Sequence, residues 1–418
     1  MPVNAGIGLD ARRNMKILIA DKLGSTAKLA LEDIGHEVQE SPDVTSEELK
    51  DCIKGIEVLV VRSTKVTADA LKAADRLSLI VRAGAGVDNI DVIAASELGI
   101  HVCNVPGKNA AAVAELTFAL LLAIDRHIVD AAVDLRKGTW NKKEYSIADG
   151  IMGKTIGIIG LGGIGLSVAE RAKAFGLNVI GQRKNGRSPE VEQRIRQIGI
   201  RLTDTLEDLV AHSDVVSIHV PSTEQTVKLV DKALLRSFKD GAILINTSRG
   251  EIVDEPALIE AMDERGIRAG LDVFCDEPAS GERTIGSALA SHASVVGSHH
   301  IGASTAQASR AIADGVVDTV LRFEAGNPLN CVNEAPSGDG TSQVRVRHLD
   351  RVGVLASVLS TLRAADLNVQ YMDNRVFSGK KAAVASIEVV GAVPIGLYDE
   401  LVALEHVLGV SLLDKRAV

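Results

Sequence analysis

The chain has 418 residues, which at about 150 residues per domain predicts two to three domains. Its 46 Lys and Arg against 55 Asp and Glu leave a net charge of −9, arguing against nucleic acid or an anionic membrane as the main partner, since both reward clustered positive charge. A hydrophobic content of 46% with 24% charged residues excludes disorder, and with 1 Trp, 3 Tyr and 6 Phe the cores must be aliphatic.

Residues Met1 to Asn14 are polar, carry Arg12 and Arg13, and lack the apolar stretch of a secretory signal. Short β-branched runs then alternate with helix-length segments. Strands are predicted at Lys16 to Ala20, Val58 to Val61, Leu79 to Val81, Ile156 to Ile159, Val179 to Ile180, Val215 to His219, Ala242 to Ile245 and Leu271 to Phe274. Nearly continuous apolar strands separated by helices mark parallel sheets covered on both faces. The pattern occurs once before about residue 108 and again from about 150 to 298, so two doubly wound α/β lobes are expected. Between them Ala110 to Ile124 is apolar but interrupted by Glu115 and Thr117. It is shorter than the roughly 20 residues that cross a bilayer and reads as a buried helix.

Pro336 to Ser342 is a linker by composition. After it, Val344 to Arg347 alternates apolar and polar, Gly353 to Arg363 reads as a helix, and Asn368 to Val376 and Ala382 to Val390 read as strands. A helix near Leu397 to Leu404 and a strand near Val410 to Leu413 complete a βαββαβ, α+β unit of about 75 residues. The four cysteines, Cys52, Cys103, Cys275 and Cys331, form no CxxC pair. No metal or disulfide framework is expected, and a reducing, cytoplasmic setting fits.

The strand Ile156 to Ile159 runs into Gly160-Leu-Gly162-Gly-Ile-Gly165 and then a helical stretch, Leu166 to Phe175. Gly160 permits a tight turn, Gly162 lets a pyrophosphate approach the backbone, and Gly165 lets helix and strand pack closely. The helix N-terminus offers free N–H groups and the positive end of its dipole to the phosphates. About 20 residues on, where an NAD site usually has Asp or Glu, the chain reads Gln182-Arg183-Lys184-Asn-Gly-Arg187. A 2′-phosphate would pair with Arg183 and Lys184, so NADP(H) is favoured over NAD(H). The alternative is a solvated basic loop beside a ribose held by Gln182.

Three further segments follow predicted strands: Asn246-Thr-Ser-Arg249-Gly250, Asp272-Val-Phe-Cys-Asp-Glu277-Pro278 and His299-His300-Ile-Gly-Ala-Ser-Thr305. Ligands of open α/β sheets bind at the carboxyl ends of strands, so the three can converge. Hydride transfer from an alcohol needs a base for the hydroxyl proton and a cation for a carboxylate. His300, oriented by Glu277, suits the first task and Arg249 the second. Taken singly, each residue has an ordinary structural explanation: a cap, a turn, a core histidine. Together they point to catalysis.

The segments GLGGIG, NTSRGEIVDE, LDVFCDEP and HHIGAST resemble the D-2-hydroxyacid dehydrogenase family. Val61 to Thr67, Arg82 to Asp91 and Asn104 to Asn109 resemble its phosphoglycerate dehydrogenase branch, and the tail from Val344 is similar to the ACT sensor domain fused to those enzymes. The resemblance implies a substrate domain of 15–108 and 300–332, a dinucleotide-binding domain of 109–299, a linker at 333–342 and an ACT-like regulatory domain at 343–418. It implies oxidation of 3-phospho-D-glycerate to 3-phosphohydroxypyruvate, the opening step of L-serine synthesis, with Arg249 binding substrate and Glu277 and His300 as the acid–base pair. It places Asp272 at the nicotinamide amide and extends the cofactor site to Gly163, Ile164, His219, Val220, Pro221, Thr247 and Gly302. The substrate would meet Arg62, Ser63, Asn109 and the backbone of Ala85 and Gly86. Trp140 and Lys142 would lie across a dimer interface near the neighbouring active site, although core packing is an alternative for Trp140. A homodimer or homotetramer and an L-serine effector held by His348, Asp350 and Asn368 are also implied. His299 stands where the family usually has proline, and Asp350 where it often has asparagine. A glyoxylate or hydroxypyruvate reductase and a dinucleotide-sensing scaffold remain the competing functions.

Overall fold

A computed structural model describes residues 14–23, 25–278, 285–334, 342–391 and 393–414. Residues 335–341 of the predicted linker and the N-terminal residues before Asn14 lie outside the described residues. The chain forms two compact units, Met1–Asn333 and Glu334–Val418.

The first unit contains two parallel sheets. One has five strands in the order Glu37–Glu40, Lys16–Ile19, Val58–Val61, Leu79–Arg82, His101–Asn104. The other has seven: Val295–Gly297, Arg268–Leu271, Ile243–Asn246, Val215–Ile218, Thr155–Ile159, Asn178–Gln182 and Arg201–Thr203. Numbered along the chain, its last six members run 6-5-4-1-2-3, the strand order of dinucleotide-binding folds. The central strands are buried at every position, as sheets covered on both faces require.

Helix Ala110–Asp125 enters the second lobe, where Phe118, Leu121 and Ile124 pack with Ile156 and Ile158. After Val295–Gly297 the chain returns: helix Ala306–Glu324 lays Ile312, Val316 and Val320 against Ile17, Ile19 and Val60 of the first sheet. The first lobe is thus built from both ends of this unit. Burying each such aliphatic side chain is worth about 1.5–3 kcal/mol, so the return helix is integral to that core.

The second unit is an antiparallel sheet in the order Asn368–Val376, Ala382–Val390, Ser342–Leu349, Val407–Asp414. Helices Val354–Ala364 and Leu397–Val402 bury Val358, Leu362 and Leu401 against Val346, Ile387 and Val389. The expected βαββαβ order is the one observed.

One predicted strand is misplaced. The run expected as Leu271 to Phe274 ends its strand at Leu271, because the Asp272 carboxylate is drawn into hydrogen bonds with the next loop. Among the described residues no helix is long and apolar enough to cross a membrane.

Candidate active site

The seven-stranded sheet reverses direction of travel between Thr155–Ile159 and Val215–Ile218, and ligands of such sheets bind at that crevice. Gly160 follows the first strand and His219 the second. A Cβ on Gly160 would lie 2.4 Å from the His219 carbonyl oxygen, and φ there is +101°, so glycine is required twice over. A Cβ on Gly165 would lie 1.9 Å from the Gly160 carbonyl oxygen. Around Gly162, by contrast, nothing lies within 4 Å. The outer glycines of the motif serve packing, whereas the middle one leaves open space above helix Gly163–Ala174, whose N-terminus has no side-chain cap. That is the cradle a pyrophosphate needs, and these residues fit a dinucleotide.

At the end of the neighbouring strand, Arg183 is not free. Its Nε donates to Asp204 Oδ1 at 2.9 Å. Sequence reading expected no carboxylate at this position, which is true of strand Asn178–Gln182 itself. Asp204 arrives from the next strand, whose Thr203 is in register with Gln182. Arg187 donates to the Gln182 carbonyl oxygen, and Lys184 is exposed.

His219 is half-buried, with Nε2 2.8 Å from Ser217 Oγ and a buried Nδ1 that has no partner. Burial pushes its pKa down to about 3. The unfolded chain takes up a proton below about pH 6.5 that the native ring refuses, so stability falls as pH drops from 6.5 toward 3. The slope approaches about 1.4 kcal/mol per pH unit from this group. Denaturant unfolding between pH 6.5 and 4.5 is expected to show a shallower decline in His219→Gln than in the parent. Equal slopes would refute a neutral native imidazole.

The reactive side chains stand on three successive strand ends. After Ile243–Asn246, the buried Asn246 side chain accepts from Ser248 N–H and Oγ and donates to the Arg249 carbonyl, shaping the turn that projects Arg249. A Cβ on Gly250 would lie 2.2 Å from the Phe274 carbonyl carbon, so glycine lets this turn close on the loop bearing Glu277. After Val295–Gly297 comes His300, whose Nδ1 lies 2.5 Å from Glu277 Oε1. Burial raises the Glu277 pKa, but the hydrogen bond and charge of His300, the Phe274 N–H and Arg249 outweigh it and hold the carboxyl below its ordinary range. The neighbouring Cys275 is pushed up to about 12 by burial and by Glu255, which keeps it a thiol and removes it as a nucleophile.

His300 has φ +54°, in the left-handed region. Its turn is held by Asp272, which is 1% exposed. The His300 N–H donates to the Asp272 carbonyl at 2.7 Å. Ser298 Oγ and Ile301 N–H donate to carboxylate Oδ1, and Gly302 N–H to Oδ2. Whatever Asp272 does for a cofactor, it already fixes the turn that carries His300.

Arg249 crosses to the first lobe, where its Nε and one terminal nitrogen lie 3.2 and 3.0 Å from Asp88 Oδ2. There the loop after Leu79–Arg82 is tied down by Asn104, which donates to the Ala85 carbonyl, and by Val105 N–H, which donates to the Gly84 carbonyl. Among the described residues neither the Ala85 nor the Gly86 N–H donates a hydrogen bond, leaving two donors on this loop. Asp21 accepts from the N–H groups of Arg62 and Thr64 and so presents Arg62 and Ser63. Asn109 stands at the uncapped start of helix Ala110–Asp125 with its Oδ1 buried and unpartnered.

The Thr247 hydroxyl is 3.2 Å from that of Thr117. Trp140, 79% exposed, and Lys142 belong to the segment beyond helix Ile128–Arg136, and no described contact ties them to Arg249 or His300. In the second unit, His348 is 1% exposed with Nδ1 against the Leu349 carbonyl and Nε2 against Asn374 Oδ1. The effector role implied for His348 therefore meets a ring with both nitrogens engaged, while Asp350 and Asn368 are exposed. Sequence reading missed Asn246, Asp21, Asp88 and Asp204, which act by holding the residues it named.

This arrangement is that of the D-isomer specific 2-hydroxyacid dehydrogenases, and the chain belongs to that family. Residues 118–302 match the family's NAD binding domain. The D-3-phosphoglycerate dehydrogenase of Methanocaldococcus jannaschii is 40% identical over 326 residues, 77% of this chain and 60% of that protein. The hydroxypyruvate reductase of Thermotoga maritima is 43% identical over 68% of this chain and 92% of its own. The crystal structure of the TT0316 protein from Thermus thermophilus superimposes with a TM-score of 0.67 at 33% identity, over 76% of this chain and all of the other. This chain spans about 60% of the length of the M. jannaschii relative.

Proposed function

We propose that the protein oxidises 3-phospho-D-glycerate to 3-phosphohydroxypyruvate with a nicotinamide dinucleotide, the entry to L-serine synthesis. The observation that carries the reading is the His300–Glu277 pair, standing on the strand end beside Glu277's loop, with Arg249 reaching across to the substrate lobe. Arg249 grips the substrate carboxylate together with the Ala85 and Gly86 N–H groups, in exchange for part of its contact with Asp88. His300 removes the C2 hydroxyl proton while Glu277 orients the ring and stabilises the charge it acquires. Arg62, Ser63 and Asn109 line the remainder of the pocket. When bound, the cofactor supplies a hydride acceptor. Gly160, Gly162, Gly163, Ile164 and Gly165 would hold its pyrophosphate, His219, Val220, Pro221 and Thr247 its flanks, and Asp272 and Gly302 its amide end. The test is phosphohydroxypyruvate-dependent oxidation of NADPH or NADH by the purified chain. Absence of turnover with both coenzymes would remove the assignment.

The second reading is a hydroxypyruvate or glyoxylate reductase, favoured by the identity to the T. maritima enzyme over nearly its full length. Comparing phosphorylated with unphosphorylated hydroxypyruvate separates the two.

NADP(H) is the coenzyme we favour. The Arg183–Asp204 pair is 59% and 81% exposed, and exposed pairs are worth only about 0–1 kcal/mol. A 2′-phosphate can therefore recruit Arg183, with Lys184 beside it. Arg183→Ala is expected to raise the KM for NADPH about tenfold or more and to leave that for NADH within about twofold. A uniform change in both would assign Arg183 to the fold.

A homodimer is proposed through the surface that exposes Ile128, Val129, Leu135, Trp140, Ile147 and Met152. Exposed apolar side chains concentrated in one stretch of the chain suit a contact surface. Sedimentation is expected to give at least a dimer, and Trp140→Glu with Met152→Glu to shift it toward monomer. A monomeric parent protein would dispose of this. Regulation by an amino acid such as L-serine at Asp350 and Asn368 is proposed with it, and an unchanged rate in millimolar L-serine would count against it.

A further inference from the structure

Strand His101–Asn104 is the last of the five parallel strands, and the chain returns to cover it as the first unit closes. Val332 N–H donates to the Val102 carbonyl at 2.8 Å and Asn104 N–H to the Asn330 carbonyl at 3.3 Å, which sets Cys331 opposite Cys103 in an antiparallel bridge. Asn333 reinforces the pairing. Its Oδ1 accepts from Val102 N–H and from the Cys331 thiol, and its Nδ2 donates to the Ile100 carbonyl. The backbone hydrogen bonds thus flank the two cysteines instead of joining them. That is the narrow kind of antiparallel pair, with Cα atoms about 4.5 Å apart and side chains at their closest. A disulfide closes without backbone movement over a Cα separation of about 4.4–6.8 Å.

Residues directly opposite in such a pair share one face of the sheet. Here it is the face under helix Ala306–Glu324: Cys103 is fully buried with Ile312, Val316 and Val320, and Cys331 packs on the same cluster while part of it meets solvent. Both are thiols in the structure. One sulfur is therefore reachable from outside and the other lies sealed behind it, the arrangement of an attacking and a resolving cysteine. The remaining cysteines are placed differently. Cys275 is exposed, but its pKa is pushed up to about 12, and the thiolate is the form that reacts. Cys52 ends helix Leu49–Cys52 and packs on the other core cluster of this lobe.

We propose that Cys103 and Cys331 form a reversible oxidation site, closed to a cross-strand disulfide by a hydroperoxide and reopened by a thiol reductant. Cys331 sulfur attacks one peroxide oxygen and the O–O bond breaks. That oxygen stays on sulfur as a sulfenic acid, and the other departs as water, or as an alcohol, with the thiol proton. Cys103 sulfur then attacks Cys331 sulfur, the S–O bond breaks, and the hydroxyl leaves as water with the Cys103 proton. Two thiols give up two electrons and two protons, and the peroxide is reduced. The closed loop runs from the first sheet through the whole second lobe and back, and cross-links that close long loops restrict the unfolded chain most. The bridge therefore stabilises the first unit at the point where the chain leaves it. It needs neither coenzyme nor substrate.

The experiment treats the reduced full chain with hydrogen peroxide, blocks remaining thiols by alkylation, and maps the peptides by mass without reduction. Thermal unfolding is followed on the same samples before and after dithiothreitol. The expected product is a linked pair of peptides carrying Cys103 and Cys331, two hydrogens lighter than their sum. It should come with a rise in Tm of roughly 3 °C or more that dithiothreitol reverses. Cys331→Ser and Cys103→Ala should each abolish both the linked peptides and the rise in Tm. Should Cys103→Ala fail to fold, Cys331→Ser at the half-exposed position decides alone. Alkylation of both cysteines after peroxide treatment, a disulfide through Cys275 or Cys52 in their place, or a bridged protein that melts no higher overturns the proposal.

Discussion

Replacing His300 with alanine is expected to lower kcat by about 10²–10⁴-fold while coenzyme binding, read by NADPH fluorescence titration, stays within about twofold. The size of the effect follows from what the imidazole alone can do. The hydroxyl proton must leave as the hydride does, and two neighbouring groups are otherwise committed: Cys275 is held as a thiol, and Glu277 is spent on the ring, 2.5 Å from Nδ1. Nε2 is thereby left for the hydroxyl proton in the proposed reaction. Glu277→Gln keeps an acceptor oxygen for Nδ1 but removes the charge that stabilises the ring once it takes the proton. Its kcat is expected to fall between those of the parent and His300→Ala. Effects of two groups acting as one unit do not add, so the double variant should be little slower than His300→Ala alone. Full additivity would mean that Glu277 works independently of His300.

Which parts of this site are legible in the sequence follows from burial. Strands such as Val58–Val61 and Val215–Ile218, sealed on both faces and paired on both sides, write themselves as unbroken apolar runs. The four strands that the pattern does not reveal are Glu37–Glu40, His101–Asn104, Arg201–Thr203 and Val295–Gly297, and each is an edge of one of the two parallel sheets. An edge strand has one neighbour and a wetter surface, so Glu37–Glu40 reads EVQE and leaves no position fully buried. The same limit explains the cofactor site. GLGGIG is local and visible, whereas Asp204 reaches Arg183 only because an edge strand pairs with Asn178–Gln182. Arg249, Glu277 and His300 can be named because the chemistry needs them. Asn246, Asp21 and Asp88 cannot, because a carboxylate or amide that holds a turn has no signature until the turn is seen.

Asp272 shows how much such a supporting residue carries, and Asp272→Asn is expected to cost activity and stability together. The carboxylate is buried and takes three donors, Ser298 Oγ and Ile301 N–H on Oδ1 and Gly302 N–H on Oδ2. An amide offers one acceptor oxygen. If that oxygen keeps Ser298 and Ile301, its NH2 group confronts the Gly302 N–H, donor against donor in a site that excludes water. An unmet buried donor costs about 1–3 kcal/mol, and relief comes most readily from the turn that is already strained, at His300 with φ +54°. A displacement of the imidazole by an ångström is enough to lower kcat roughly 10²-fold. Thermal unfolding and kcat measured on the same preparation decide the point. A stability loss accompanied by a fall in kcat, with coenzyme affinity held, identifies Asp272 as the anchor of the His300 turn. Weakened coenzyme binding at unchanged stability would show instead that its carboxylate acts on the cofactor and that the turn stands without it.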